Sequence, residues 1–295
     1  MKDYLDDFKI YLKNVKKCSD NTFDAYIRDV EHFIEYCTGQ GISDVNDINS
    51  NDITEYLDYI KTNGKSAATK TRITASIRCY FKFLSTGKIV ANNCAQEIKN
   101  PRNERNMPEI LTSNEVLSLL SQPDLRDYKG MRDKAMLELL YATGIKVSEL
   151  IELDISDVNL QIGIVHIKSL QHERIVPLYP AAVKHISEYI NIARPVLVSD
   201  SNEKILFTNY NGKPMSRQGF WKIIKYYSNK AGIKKDITPQ TVRHSFAAHL
   251  LENGAQLGDI KEMLGHLDIS STQVYAQLVK SKYLQSYSKF HPLAK

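Results

Sequence analysis

The segment MLGHLDISSTQVYA, residues 263–276, places a Gly-His pair nine residues ahead of a tyrosine. Gly265 is typical of a helix end and exposes the imidazole of His266 beside the turn that follows. The polar residues after the turn are good helix starters. The segment therefore predicts a short helix, a turn and a new helix that carries Tyr275.

A third candidate, Arg243, lies 23 residues before His266, near the start of the predicted helix TPQTVRHSFAAHLLENG. A cation at a helix start opposes the helix dipole, which suggests an anion bound there. Arginine, histidine and tyrosine together suit attack by a tyrosine on a phosphodiester. The phenol loses its proton, cations stabilise the charged phosphate oxygens, and a general acid protonates the leaving sugar oxygen. The phosphotyrosine ester keeps the bond energy for rejoining, so ATP is not needed.

The chain has 295 residues, which suits two domains. Its hydrophobic fraction of 42% and charged fraction of 25% are those of a folded soluble protein. The sequence contains no apolar run near the roughly 20 residues that span a bilayer, and the acidic amphipathic N-terminus is no signal peptide. We expect a cytoplasmic, nucleoid-associated protein that does not use the membrane.

The cysteines, at positions 18, 37, 79 and 94, form no C-x-x-C pair, and we interpret them as reduced thiols. The sequence contains no G-x-G-x-x-G, P-loop or H-E-x-x-H motif. We therefore expect neither a metal nor another cofactor.

Charge is unevenly distributed along the chain. Residues 1–60 hold 6 Lys/Arg against 13 Asp/Glu, whereas residues 61–105 hold 10 against 2. The basic block predicts either a phosphate-binding surface or a solvated helix face, and charge alone does not separate them.

The apolar spacing predicts a mainly α fold with two domains. Residues 1–91 form a helical bundle, residues 92–112 form a basic linker that contains Lys99, Arg102 and Arg105, and residues 113–295 form a mostly α domain. In that domain VSELIELDISDV is a predicted helix, while GIVHI and RIVPL are predicted strands of a small antiparallel hairpin.

Several motifs resemble those of the tyrosine recombinases of the phage integrase family, and within it the Xer-type recombinases. The motifs are LLYATGIKVSELIEL at 139–153, HERIVPL at 172–178, QGFWKIIK at 218–225, TPQTVRHSFAAHLLENGA at 238–255 and MLGHLDISSTQVYAQL at 263–278. The resemblance covers nearly the whole chain. It implies a SAM-like core-binding domain and a catalytic domain that close around DNA.

The resemblance assigns catalytic roles by position. Tyr275 matches the nucleophile, Arg243 the second active arginine, and His266 the residue that positions the phosphate. Lys146 stands where the family has its first active arginine, and Gln240 where it has the histidine of His-x-x-Arg. The lysine keeps the positive charge of an arginine but cannot bind two phosphate oxygens at once as a guanidinium does. The glutamine cannot act as a base. Each could instead be an ordinary residue, a surface lysine or a helix-start glutamine.

The hairpin lysine that resembles the family's general acid is Lys168. The spacing of this hairpin differs by one residue from the usual G-K-G-x-x-E-R form, so Ser169 is an alternative at that position. Lys168 could also be a plain hairpin-turn cation.

Other positions are candidates for DNA contact. These are Lys70, Arg72 and Arg78 on the basic helix, and Arg217 and Gln218 at the start of another helix. Glu149, one turn after Lys146, either orients that lysine or faces solvent.

The resemblance implies a site-specific DNA recombinase that cuts and rejoins strands through a 3′-phosphotyrosine, in chromosome dimer resolution or in integration and excision of a mobile element. Its implied partners are duplex DNA, a homo- or heterotetramer with a second recombinase, and an activating DNA translocase. Two alternatives stay open: a catalytically weakened DNA-binding homologue with an architectural or regulatory role, and a type IB topoisomerase-like enzyme. The last helix, with Tyr283, Leu284, Tyr287 and Phe290 on one side, docks either on a neighbouring protomer or on its own core.

Overall fold

The computed structural model describes residues 3–98, 107–169, 173–200 and 202–290. The chain divides into two compact units, Met1–Arg105 and Asn106–Lys295, each with its own hydrophobic core. None of the described helices combines the length and the apolar character needed to cross a membrane.

The first unit is a helical bundle. Its helices are α1 Asp3–Asn14, α2 Asp20–Gly39, α3 Ser50–Thr62 and α4 Ala67–Thr86. Each long helix buries one apolar face, and the aromatic side chains Phe8, Phe33 and Tyr80 are fully buried between them. Asn49 starts α3 with a reciprocal capping box.

The predicted linker is packed at both of its ends. Ala95 is fully buried in the core of the first unit, and Leu111 is fully buried in the core of the second. Ala95 and Leu111 therefore belong to the cores of the units that they adjoin. Its cations Lys99, Arg102 and Arg105 lie outside the described residues.

The second unit is mostly helical, with a small antiparallel sheet. Its elements in chain order are α5 Ser113–Leu120, α6 Tyr128–Thr143, α7 Val147–Glu152, β1 Val158–Asn159, β2 Ile164–Ile167, β3 Arg174–Pro177, α8 Pro180–Glu188, α9 Arg194–Leu197, α10 Arg217–Lys230, α11 Pro239–Glu252, α12 Leu257–Leu264 and α13 Ser270–Phe290. The sheet has the order β1-β2-β3, and Ile164 pairs with Pro177 across the hairpin. Helix α6 is buried on nearly all sides and forms the centre of the unit.

Two boundaries differ from the sequence-based predictions. The predicted helix VSELIELDISDV ends at Glu152, because Leu153 is extended and its carbonyl accepts the N–H of Leu206. Val158 of the same segment lies in β1, paired with Val165. The helix that carries Tyr275 and the predicted last helix are one continuous helix, α13. Side chains 281–287, 289 and 290 of α13 lie outside the described part of the chain, so the docking prediction for Tyr283, Leu284, Tyr287 and Phe290 stays a prediction.

Gly144 ends α6 in the left-handed conformation, with φ +58°. A Cβ atom at this position would lie 2.4 Å from Phe246 Cδ1 and 2.8 Å from Leu264 Cδ2. The turn therefore needs glycine for two reasons, its backbone angle and the close approach of α11 and α12.

We expect Gly144→Ala to destabilise the second unit by about 1–2 kcal/mol from backbone strain and about 1–3 kcal/mol more from overpacking. Gly232→Ala is the matched control, because Gly232 also has a positive φ of +69° but faces open space. Urea unfolding followed by the fluorescence of Trp221, the single tryptophan, reports on this unit. Equal losses of stability in the two variants would contradict the packing argument.

Candidate active site

Arg243 is a buried cation near the start of α11. The helix begins at Pro239 with Thr238 as its N-cap, and the arginine side chain is only 2% exposed. Its Nη1 donates to Gly144 O at 2.5 Å, and its Nη2 donates to Leu264 O at 2.8 Å. Both carbonyls belong to the last turns of helices, whose negative dipole ends stabilise a cation. Burial lowers the pKa of Arg243 to about 10, so the guanidinium is charged at neutral pH.

His266 follows the left-handed Gly265 that ends α12. Its Nε2 lies 3.1 Å from Arg243 Nη2, and its Nδ1 lies 3.0 Å from Thr272 Oγ1. Since the guanidinium can only donate, Nε2 accepts and Nδ1–H donates to the threonine. Burial, and then the charges of Arg243 and Lys146, lower the pKa of His266 to about 4. The imidazole is therefore neutral at pH 7.

Tyr275 projects from the second turn of α13 into the unit and is only 1% exposed. Its ring packs in an apolar cluster with Phe246 and Leu264. The hydroxyl oxygen lies 2.9 Å from Nδ1 of His244, the residue after Arg243. Burial raises the pKa of Tyr275, and the charge of Arg243 opposes that rise. A phenol in this setting needs both a proton acceptor and a nearby cation to become a nucleophile.

Glu149 and Arg174 form a buried ion pair behind Lys146. Arg174 donates to both carboxylate oxygens, at 3.2 and 2.8 Å, and its Nε donates to Met263 O at 2.7 Å. The same carboxylate accepts the backbone N–H of Lys146 at 3.0 Å and lies 3.8 Å from the lysine Nζ. Burial opposes ionisation of Glu149, but the hydrogen bonds and charge of Arg174 hold its pKa below the usual value. Glu149 is thus buried rather than solvent-facing, and its carboxylate lies beside Lys146.

Lys168 lies at the end of β2 with its side chain exposed. Its Nζ is 2.5 Å from Asp157 Oδ1, and that hydrogen bond raises the pKa of the lysine. Ser169 beside it is half-buried, and residues 170–172 lie outside the described residues. In this arrangement the ammonium of Lys168 is bound to Asp157 at the sheet.

Four predicted residues line one open cleft of about 370 Å³. They are Lys146, Arg217, Gln240 and Arg243, and the cleft also includes Trp221. Gln218 is exposed in the first turn of α10, next to Arg217. The cleft therefore brings side chains from α7, α10 and α11 to one surface, and Lys146, Arg217 and Arg243 give it positive charge.

The predicted DNA contacts of the first unit differ in how they are bound. Arg72 pairs with the buried carboxylate of Asp29, and Lys70 lies 3.0 Å from Asp58. Arg78 is exposed and lines an open cleft of about 490 Å³. Lys16 and Lys82 lie in the same cleft. Arg78 is therefore better placed than Arg72 to meet a phosphate.

Sequence reasoning did not single out His244, Arg174 or Thr272. The Arg-His dipeptide at 243–244 and the Glu-Arg dipeptide at 173–174 lie inside motifs used for the resemblance, so a signal was present for two of them. Thr272 has no local signal, because its role depends on the turn that brings it to His266. Within the described residues, no group of three or more His, Cys, Asp or Glu side chains could hold a metal ion.

A model of the phage integrase family matches residues 109–282, and a model of the phage integrase N-terminal SAM-like domain matches residues 5–88. The chain belongs to the phage integrase family. The first match covers more than half of the chain and contains Arg243, His266 and Tyr275.

This integrase-family chain has close relatives of equal length. It is 42% identical to tyrosine recombinase XerD of Staphylococcus epidermidis over 295 residues, with 100% of each chain covered. The identity to the Staphylococcus aureus protein of the same name is also 42% over 295 residues. These comparisons confirm the family assignment and the interpretation of the chain as a tyrosine-type site-specific recombinase.

Solved structures of other family members share the fold. XerH recombinase bound to palindromic difH DNA has a TM-score of 0.79 at 21% identity, covering 98% of this chain and 84% of that one. A lambda integrase dimer bound to a COC′ core site has a TM-score of 0.73 at 16% identity, covering 93% and 94%. The predicted fold class, a SAM-like helical domain and a mostly α domain with a small antiparallel sheet, is confirmed. The predicted domain limits and the roles of individual residues stay predictions.

We expect Glu149→Gln to destabilise the second unit by about 3–5 kcal/mol at pH 7, because it leaves Arg174 buried without its counter-charge. Since the folded-state pKa of Glu149 is lowered, its contribution is present above the ordinary pKa of about 4.3 and is lost as pH falls through the folded value. The difference between wild type and variant should therefore shrink below about pH 4.

Urea unfolding followed by Trp221 fluorescence between pH 3 and pH 7 checks this prediction. The exposed Glu152 provides the control variant Glu152→Gln, which should leave the stability within about 0.5 kcal/mol. A Glu149→Gln protein that matches wild type at pH 7 would count against a buried ion pair.

Proposed function

We propose that this protein is an Xer-type site-specific recombinase that cuts and rejoins duplex DNA through a 3′-phosphotyrosine on Tyr275. The observation that carries the proposal is the convergence of distant side chains in one unit. The guanidinium of Arg243 contacts His266, and the next residue of α11 contacts the hydroxyl of Tyr275. The cations of the cleft adjoin this cluster through Arg243, which belongs to both.

The cleft suits a phosphodiester. The bonds of Arg243 within the described residues use three of its five N–H donors, which leaves one on Nη1 and the one on Nε for phosphate oxygens. Lys146 lines the same cleft and adds a further positive charge, with 45% of its side chain exposed. Fixed cations of this kind stabilise the charge that develops on the non-bridging oxygens during attack.

Cleavage needs a nucleophile and a general acid. Tyr275 oxygen would attack phosphorus, and the P–O5′ bond would break as the leaving oxygen gains a proton. Lys168 is our candidate acid, with Ser169 as the alternative at the same hairpin. For this role Lys168 would have to exchange its bond to Asp157 for one to DNA. The freed 5′-hydroxyl of a partner strand would then attack the phosphotyrosine and reverse these steps.

The remaining predicted residues would hold the duplex. Arg217 and Gln218 stand at the start of α10 beside the cleft, where they could meet the DNA backbone or a base edge. In the first unit Arg78 and Lys70 would contact phosphates, while Arg72 would support the surface through its pair with Asp29. Loss of a phosphate contact should weaken binding to all sequences and reduce its salt dependence.

We further propose that duplex DNA is the partner and that the active assembly is a tetramer on two sites, with or without a second recombinase and an activating DNA translocase. The similarity to XerD proteins over the full length supports chromosome dimer resolution over integration and excision of a mobile element. Such an enzyme would work in the cytoplasm, where bacterial DNA lies.

Replacement of the nucleophile gives the first test. On a nicked suicide substrate with the native target site, wild type should form a covalent protein–DNA adduct, and Tyr275→Phe should form none because it lacks the attacking oxygen. Tyr226→Phe, at a tyrosine that is 62% exposed, should form adduct at the wild-type rate. Denaturing gel electrophoresis of labelled DNA measures all three.

Absence of adduct from wild type, together with specific binding of the site, would favour the alternative of a catalytically weakened DNA-binding homologue. The lysine at 146 and the glutamine at 240 are the observations that favour it. Relaxation of plasmids without any target site would instead indicate topoisomerase-like activity.

Lys146 gives a second test. Lys146→Ala should slow adduct formation by about 10²–10³-fold, because a cation near the developing charge is lost. Lys146→Arg should keep or exceed the wild-type rate, because it adds a bidentate fork. Lys184→Ala on α8, at a lysine that is 69% exposed, is the control. Equal rates for wild type and Lys146→Ala in single-turnover assays would exclude a role for Lys146 in cleavage.

A further inference from the structure

His244 joins the exposed cleft to the buried nucleophile. It lies between Arg243 and Ser245 on α11 and is half-buried. Its Nδ1 is 2.9 Å from the Tyr275 hydroxyl, and its Nε2 is 3.2 Å from the amide nitrogen of Gln240. Gln240 is exposed and lines the cleft. The three side chains thus form a continuous hydrogen-bonded row from Gln240 to the phenol.

The i to i+4 spacing of Gln240 and His244 explains their contact, since these positions are stacked on one helix face. The amide of Gln240 can turn either its nitrogen or its oxygen towards His244, because the two ends have nearly the same shape. With the oxygen towards it, Nε2 carries the ring proton and Nδ1 keeps its lone pair for the phenolic O–H. With its oxygen turned towards the ring, Gln240 accepts the Nε2–H of the His244 tautomer in which Nδ1 can take a proton.

We propose that His244 is the general base that takes the proton of Tyr275, and that Gln240 is the positioning residue that accepts the Nε2–H of this base. The inference rests on the proposed recombinase function and identifies the proton acceptor at the same site. The Tyr275 O–H proton passes to His244 Nδ1 as the phenolic oxygen bonds to phosphorus and the P–O5′ bond breaks. The imidazolium that forms donates Nε2–H to Gln240 Oε1, and it returns the proton to the tyrosine oxygen when the strand is rejoined.

The surroundings of His244 suit an acceptor. Burial, and then the charge of Arg243, lower its pKa to about 4, so the ring is neutral at pH 7. Within the described part of the chain, Tyr275 from α13 and His266 from the turn after α12 are the other titratable groups that face it. Tyr141 of α6 packs on the same apolar cluster as Tyr275, and its hydroxyl binds His249. A phosphate bound at Arg243 would add negative charge and move the pKa of His244 back towards its ordinary value.

His266 does not fill this role in the observed geometry. Its Nε2 accepts from Arg243 and its Nδ1 donates to Thr272, so both ring nitrogens are engaged away from the phenol. Gln240 itself has no group that can take a proton at neutral pH. Among the histidines that the structure describes, His244 is the one whose ring nitrogen contacts the attacking oxygen.

The test measures single-turnover adduct formation on a nicked substrate from pH 4 to pH 9, at DNA concentrations that saturate binding. His244→Ala should be slower than wild type by about 10²-fold or more at pH 7. Without a base, its rate should rise about tenfold per pH unit as hydroxide replaces the imidazole. Wild type should be nearly flat over the range in which His244 is neutral. His185→Ala on α8, where His185 binds Glu188, is the control and should behave as wild type.

Variants at the exposed position 240 test the same relay without disturbing the core. Gln240→Leu removes the acceptor for Nε2–H and should slow cleavage by about 10-fold. Gln240→Glu keeps an acceptor and adds negative charge, so it should keep at least the rate of wild type. It should also raise the pKa of His244, and with it the acid limb of the profile, the pH range in which the rate falls as His244 is protonated, by about one unit. A purely structural role of Gln240 would leave the position of that limb unchanged.

A substrate with sulfur in place of the bridging 5′ oxygen separates the base from the acid. Sulfur leaves without protonation, so this substrate should rescue Lys168→Ala if that lysine is the acid, but it should not rescue His244→Ala. Wild-type rates for His244→Ala, or a slowing that is the same at every pH, would overturn the proposal for His244 alone. Failure of wild type itself to form adduct would overturn the recombinase function, and the proposal with it.

Discussion

The second unit depends on the hydrogen bonds that the buried guanidinium of Arg243 donates. This guanidinium is charged, almost inaccessible to water, and held by the carbonyls of Gly144 and Leu264. Those carbonyls point at it because α6 and α12 both end in a left-handed glycine, Gly144 and Gly265. Two helix ends therefore replace the hydration shell of the cation. The same contacts place α11 so that its first turn opens on the cleft.

Burial, and then the nearby positive charge, determine the protonation states of the neighbouring histidines. Burial beside Arg243 keeps His244 and His266 neutral at pH 7, with the pKa of each lowered to about 4. Neutral imidazoles accept hydrogen bonds, so one accepts from Arg243 and the other is available to the phenol. Arg174 keeps the carboxylate of Glu149 ionised. The negative charge of this carboxylate offsets part of the positive charge that Lys146 adds to the site. The site can thus carry several cations before DNA arrives.

Lys146 and Gln240 differ from the residues that the family has at these positions. The sequence and the structure lead to different interpretations of these two differences. From the sequence alone, lysine at 146 in place of arginine loses the bidentate guanidinium. Glutamine at 240 in place of histidine loses a possible base. In three dimensions the backbone N–H and the ammonium of Lys146 both face Glu149, and Gln240 lies one helical turn from His244. A neighbouring side chain in the same motif, Glu149 for Lys146 and His244 for Gln240, therefore alters what each departure costs.

The sequence by itself determined the helices, the hairpin, the family and the positions of Arg243, His266 and Tyr275, because apolar periodicity, glycine and capping signals are local and the motifs are contiguous. Its errors were local too. The helix after Lys146 was extended too far, because Val158 satisfies a helical spacing yet pairs with Val165 in β1. Only the tertiary structure decided that Glu149 is paired with Arg174, that Lys168 binds Asp157, and that His244 contacts Tyr275. Each of these depends on which face two distant elements turn towards each other, and that is set by packing of the whole unit.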